Sequence, residues 1–248
     1  VLGRAIGVMF AIPFGYFLLR GRIRRAMVPR MFALFVLGGL QGLMGWYMVK
    51  SGLVDVPQVS QYRLTAHLSL AIIIFAYMFW LLLVLWHASR QTAPTYPTPA
   101  RVATALLAAV FLTIVSGGFV AGLKAGFAFN TFPLMNGQWI PDNFLYLQPV
   151  WRNLFENIAT VQFNHRWLAI TVALAIVTFV VMNWRSIADQ RLRLGLAALL
   201  IAVALQVALG ITTLLLAVPV SLAAAHQGGA VILLTAMIYV VHLLWHRL

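Results

Sequence analysis

The chain has 248 residues, 63% of them hydrophobic and 8% charged, with a formal net charge of +13. So few charges cannot cover a soluble domain of this size, whereas a bilayer removes the need, because lipid is as apolar as the side chains facing it. The basic residues form no continuous stripe with interleaved aromatics, which excludes a nucleic-acid partner, and the absence of cysteine excludes disulfides, thiolate ligands and cysteine nucleophiles.

Seven apolar segments follow in chain order, at 1–19, 29–49, 64–87, 101–123, 163–184, 194–217 and 221–245. Each is near the ~20 residues that span a bilayer, and each is expected to be a helix, because a helix satisfies its own backbone hydrogen bonds in lipid. The first is the shortest and opens inside an apolar run at Val1, which suggests that a segment precedes it. Gly3-x3-Gly7, Gly38-x3-Gly42 and Gly118-x3-Gly122-x3-Gly126 are small-residue patterns, suited first to plain helix packing.

Arginine placement sets the expected topology. Arg20, Arg22, Arg24, Arg25 and Arg30 follow the first segment, Arg90 and Arg101 the third, Arg185, Arg191 and Arg193 the fifth, and Arg247 the last. The alternate connections are poorer in basic residues: Lys50 and Arg63, then Lys124, Arg152 and Arg166, then none. The positive-inside rule puts the arginine-rich ends in the cytoplasm, or in a mitochondrial matrix. The long connection at 124–162 then faces outward. It carries Asn130-Thr131-Phe132-Pro133 and Trp139-Ile140-Pro141-Asp142, turn-forming and aromatic residues suited to an interface.

A repeat runs through the chain. Gln41-x3-Gly45 precedes His67 as Gln206-x3-Gly210 precedes His226, with each histidine near the opening of the next helix. Shifted by the separation of the glutamines, a partner for His165 falls just before Val1. The economical reading is an all-α polytopic membrane protein of two pseudo-symmetric four-helix bundles, of which seven helices are present. Residues 1–90 form the N-terminal half, without its first helix, and residues 91–248 the C-terminal half.

His87, His242 and His246 fall at arginine-rich helix ends and are read as ordinary interfacial residues. His67, His165 and His226 fall at the opposite ends, at one membrane depth. Polar groups inside a bundle are costly and tend to mark function. Neutral imidazole is a good iron ligand, and two facing helices can supply both axial ligands of a haem. His226 stands among Ala223, Ala224, Ala225, Gly228 and Gly229, small side chains that leave room for a macrocycle. Arg166 and Arg63 are candidates to pair with haem propionates. The acids are Asp55, Asp142, Glu156 and Asp189, all at loops or helix ends. With no paired carboxylates, nucleophile elbow or phosphate loop, difficult chemistry would have to come from a cofactor.

Several blocks together resemble the haem A synthase family over nearly the whole chain. They are Asn164-His165-Arg166, Ala225-His226-Gln227-Gly228, Gln41-Gly42-x2-Gly45-Trp46-Tyr47-Met48-Val49-Lys50-Ser51-Gly52-Leu53, Val59-Ser60-Gln61-Tyr62-Arg63-Leu64-x2-His67 and Gly118-x2-Ala121-Gly122-x2-Ala125-Gly126-x3-Asn130-Thr131-Phe132-Pro133. The cysteine-free loops look like its proteobacterial and mitochondrial branch. The resemblance implies eight helices in two halves and oxidation of the C8 methyl of haem O, through hydroxylated intermediates, to the formyl group of haem A for terminal oxidase assembly. It implies a haem b cofactor between His165 and His226, with Arg166 beside it, and a substrate haem on the catalytic residue His67. The second substrate-haem ligand would come from a Glu-x2-His-Arg motif upstream of Val1. Expected partners are haem O and haem A, membrane lipid, haem O synthase, oxidase assembly factors and further copies of the chain. The expected location is the bacterial inner membrane, or the mitochondrial inner membrane. The alternative from another class is a two-haem b-type electron-transfer protein, and a third is a transporter without a cofactor.

Overall fold

In the computed structural model of the chain, residues 2–52, 59–87 and 96–245 are described. Asp55, Arg90, His246 and Arg247, which entered the sequence reading, lie outside the described residues, as does the side chain of His87. Seven long helices appear: α1 (Leu2–Leu19), α2 (Val28–Gly52), α3 (Gln61–His87), α4 (Pro97–Gly122), α6 (Ile158–Trp184), α7 (Gln190–Leu215) and α8 (Val220–Trp245). A single turn, α5 (Asn153–Glu156), sits in the long connection, between 3-10 turns at Ala125–Phe127 and Val150–Arg152 and the start of α6. Six of the long helices, α2, α3, α4, α6, α7 and α8, are long and apolar enough to cross a membrane. Residues 5–19 of α1 form a shorter apolar stretch. The chain is therefore an all-α multi-pass membrane protein.

The helices start earlier than the apolar segments do, and local chemistry explains why. Hydropathy marks the lipid-facing length, whereas a helix begins where its first amides find a cap. Asn157 accepts the Thr160 amide at 3.2 Å and starts α6. Asp189 accepts the Leu192 amide at 2.9 Å and starts α7. Pro97 begins α4, where its missing N–H costs nothing. As a result His67, His165 and His226 do not open their helices. They are the seventh, eighth and seventh residues of α3, α6 and α8, counted from Gln61, Ile158 and Val220. At 1.5 Å per residue this puts each imidazole roughly 10 Å along its helix. At the arginine-rich end of α1, Gly21 has a φ of +61°. The amides of Gly21 and Arg22 close a Schellman turn onto Leu18 and Phe17, a conformation that glycine adopts at little cost.

The chain divides into two compact units, Val1–Met78 and Phe79–Leu248. In the first, α1 packs on α2. In the second, α4 packs on α6 and α8, and α7 packs on α6 and α8, so these four helices close a ring. Its side-chain packing is uneven along the axis. Leu192, Leu196 and Leu199 on α7 and Leu234, Met237, Ile238 and Leu244 on α8 are almost fully buried. Residues 204–212 of α7 and 221–232 of α8, toward the other end, contain no buried residue. His242 belongs to the packed end. It is 1% exposed, with its ring edge-on to Trp80 at 5.1 Å, so it is a core residue and not the interfacial one that its position near a helix end suggested.

The long connection is held by side-chain amides. Asn153 bonds the Leu147 backbone in both directions, Asn157 bonds the Asn143 carbonyl, and Asn130 bonds the carbonyls of Gly126 and Leu214, the last two at 2.8 Å. Asn136-Gly137, with positive φ at both residues, turns a tight hairpin between Met135 and Gln138. Met135 is buried, while Trp139 stacks near Trp167 at 6.1 Å.

Candidate functional site

Each of the three histidines lies against a glycine of the neighbouring helix. A Cβ added at Gly45, Gly117 or Gly210 would stand 3.1, 3.2 or 2.9 Å from Cε1 of His67, His165 or His226 respectively. The glycines thus admit an imidazole edge where any side chain would crowd it. By contrast, a Cβ at Gly3, Gly7, Gly38 or Gly42 meets nothing within 4 Å. The conspicuous small-residue pairs near the N-terminus therefore seat no neighbour, whereas the glycines that seat an imidazole belong to the glutamine–glycine–histidine repeat or stand beside Ser116.

In the second unit, His165 stands on α6 and His226 on α8, two helices that both pack against α4 and α7. His165 Nδ1 is 2.8 Å from Ser116 Oγ on α4, and His226 Nδ1 is 3.2 Å from Gln206 Nε2 on α7. Both of these hydrogen bonds use Nδ1. Gln206 is wedged in place, since a Cβ at Gly229 would overlap its Oε1. In the first unit, Gln41 reaches His67 at the other ring nitrogen. Its Nε2 is 3.4 Å from the His67 ring Nε2 and 3.2 Å from the His67 carbonyl oxygen. His67 Nδ1 and Gln41 Oε1 are buried with no hydrogen-bond partner.

These features fit a haem held by two imidazoles. Two imidazoles stand in one four-helix ring with their Nδ1 atoms engaged by protein, and small residues surround His226, with Ala224, Ala225 and Gly228 exposed. In the first unit the orphaned His67 Nδ1 is a buried polar atom that an external partner would satisfy. Among the described residues no group of three His, Asp or Glu gathers as a metal-ion site.

Arg166 follows His165 on α6 and is 9% exposed. Its guanidinium donates to the carbonyls of Thr131 at 2.6 Å and Phe129 at 2.5 Å, with a longer bond to Leu134. Gln162, one turn earlier, donates to the Phe129 carbonyl at 3.1 Å. Arg166 thus ties the Asn130–Pro133 segment to the helix that bears His165, and its Nε remains buried without a partner. Glu156 is bound to Arg152 at 2.6 Å, and Asp189 caps α7, so these acids serve local structure. The sequence reading missed Ser116 and Gly117. An isolated serine in an apolar helix gives no periodic signal, and only the fold brings it to His165. Gln41 and Gln206 were found as repeat markers, not as partners of the histidines.

The fold and site define a polytopic helical membrane protein whose helices carry imidazoles seated against glycines of neighbouring helices. The profile of the COX15-CtaA family, described as cytochrome oxidase assembly protein, matches residues 1–238. The chain belongs to this family. It is 50% identical over 244 residues to a protein named Heme A synthase from Nitrosospira multiformis, covering 98% of this chain and 68% of that protein. It is 46% identical over 242 residues to the Heme A synthase of Rhodospirillum centenum, covering 98% of this chain and 65% of that protein. It is 42% identical over 248 residues to Heme A synthase COX15 of Mus musculus, covering 97% of this chain and 60% of that protein. The chain therefore spans about two thirds of the length of the bacterial relatives and less of the mouse one.

Proposed function

We propose that this protein is a haem A synthase of a bacterial or mitochondrial inner membrane, oxidising the C8 methyl group of its substrate, haem O, to the formyl group of haem A. The observation that carries this reading is the seating of three imidazoles against three glycines, in a chain of the COX15-CtaA family. His165 and His226 would hold a resident haem b through Nε2, and His67 would hold the substrate haem in the N-terminal half. Haem b, when bound, supplies the one-electron chemistry that no side chain here can perform. The protein's own residues orient and enclose. Gln206 and Ser116 hold the two rings, Gln41 holds His67, and Arg166 keeps the Asn130–Pro133 segment against α6 while placing a positive charge beside His165, suited to a propionate. Haem O synthase and oxidase assembly factors are the partners that this place in oxidase assembly calls for.

The test uses the full-length protein and two measurements on one preparation. His67→Ala should abolish haem A production and leave haem b content largely in place. His165→Ala and His226→Ala should each lower haem b retention and change its spectrum. Loss of haem b from His67→Ala, with substrate haem retained, would mean that the halves are assigned the wrong way round. Extraction of haem b alone, with neither haem A nor a hydroxylated intermediate, would favour a two-haem electron-transfer protein.

A further inference from the structure

Ser116 has one hydroxyl hydrogen, and its two contacts constrain where it goes. Ser116 Oγ lies 2.7 Å from the Thr113 carbonyl, an acceptor that can only receive, so the hydroxyl donates there. Toward His165 Nδ1, at 2.8 Å, Ser116 Oγ must therefore accept. The proton of that bond sits on Nδ1. A neutral imidazole carries one N–H, so Nε2 keeps its lone pair. Gly117, the next residue, supplies the space against Cε1 that brings the ring to this distance.

His226 lacks this constraint. Its partner is an amide, and an amide can turn either a donor or an acceptor edge to the ring. Gln206 therefore accommodates either tautomer of His226, whereas the Thr113–Ser116 chain allows one tautomer of His165.

We infer that Ser116 is a positioning residue that locks His165 as the Nδ1–H tautomer and commits Nε2 to iron. This rests on the haem-binding reading above. An acceptor on Nδ1–H makes Nε2 a stronger electron donor, which favours oxidised iron. Without the hydroxyl, Nδ1–H loses this acceptor, and the ring is freer to present its other tautomer.

The test compares Ser116→Thr with Ser116→Val in the full-length protein. The two side chains have nearly the same shape, and only threonine keeps the hydroxyl. The readouts are haem b content, the midpoint potential of that haem by redox titration, and its low-spin electron paramagnetic resonance signal. Ser116→Thr should behave as the natural protein. Ser116→Val should show a higher midpoint potential with an altered signal, or a several-fold loss of haem b from protein that is still inserted. Equal behaviour of the threonine and valine variants, at whatever haem content, overturns the inference. Ser116→Ala repeats the test without the bulk of valine and should match Ser116→Val. His165→Ala keeps the two failures apart. If it holds haem b with an unchanged spectrum, the axial assignment has failed, and not the hydrogen-bond argument.

Discussion

A methyl group at Gly210 would lie 2.9 Å from Cε1 of His226, closer than real contacts of this kind allow. The ring has little room to withdraw, because its Nδ1 is held by Gln206, which is itself wedged against Gly229. Overpacking of this kind costs about 1–3 kcal/mol, which corresponds to a roughly 5- to 160-fold loss in binding if the bound geometry bears it. Gly210→Ala should therefore lower haem b content several-fold on purification, by pyridine haemochrome assay. Gly39→Ala, where an added Cβ meets nothing within 4 Å, should leave it unchanged. Equal haem b in the two variants would show that the seat does not govern the ring. At this scale the histidines were legible from the sequence, because burying an imidazole in a membrane helix is costly and a repeat singled out His67, His165 and His226. Their immediate surroundings were less so. Ser116 lies 49 residues from His165, and nothing in the local pattern of α4 pairs them.

At the scale of elements, the apolar lengths announce the long helices, but hydropathy misses polar first turns such as Gln61-Tyr62-Arg63 of α3 and Gln190-Arg191 of α7. The capping roles of Asn157 and Asp189 depend on backbone geometry that composition does not display. The connection between α4 and α6 was legible as turn-rich and aromatic, yet its order comes from specific acceptors. Arg166 supplies the plainest case, with its guanidinium on the carbonyls of Phe129 and Thr131. Bonds from a charged donor are worth about 1.5–3 kcal/mol each. Arg166→Gln should free the segment, and limited proteolysis of the full-length protein should then cut within 129–139 many times faster. Arg166→Lys, a point charge without the fork, should restore protection only in part. Unchanged cleavage in Arg166→Gln would show that the asparagine amides alone hold the segment.

At the scale of the whole molecule, the four-helix ring of α4, α6, α7 and α8 is tight at its arginine-rich end and loose at the level of its histidines. The free energy of local opening follows such contacts, so one helix can be firm at one end and yielding at the other. Backbone amides should report this directly. In detergent-solubilised protein, deuterium should enter slowest at 192–203 and 233–244 and markedly faster at 204–212 and 221–232. Haem loading should slow the second group far more than the first. Uniform exchange along α7 and α8 would contradict this. The ring then behaves as a rooted clasp: its base is set by leucine and methionine packing, and its jaws are left with enough give to admit a rigid disc and tighten on it.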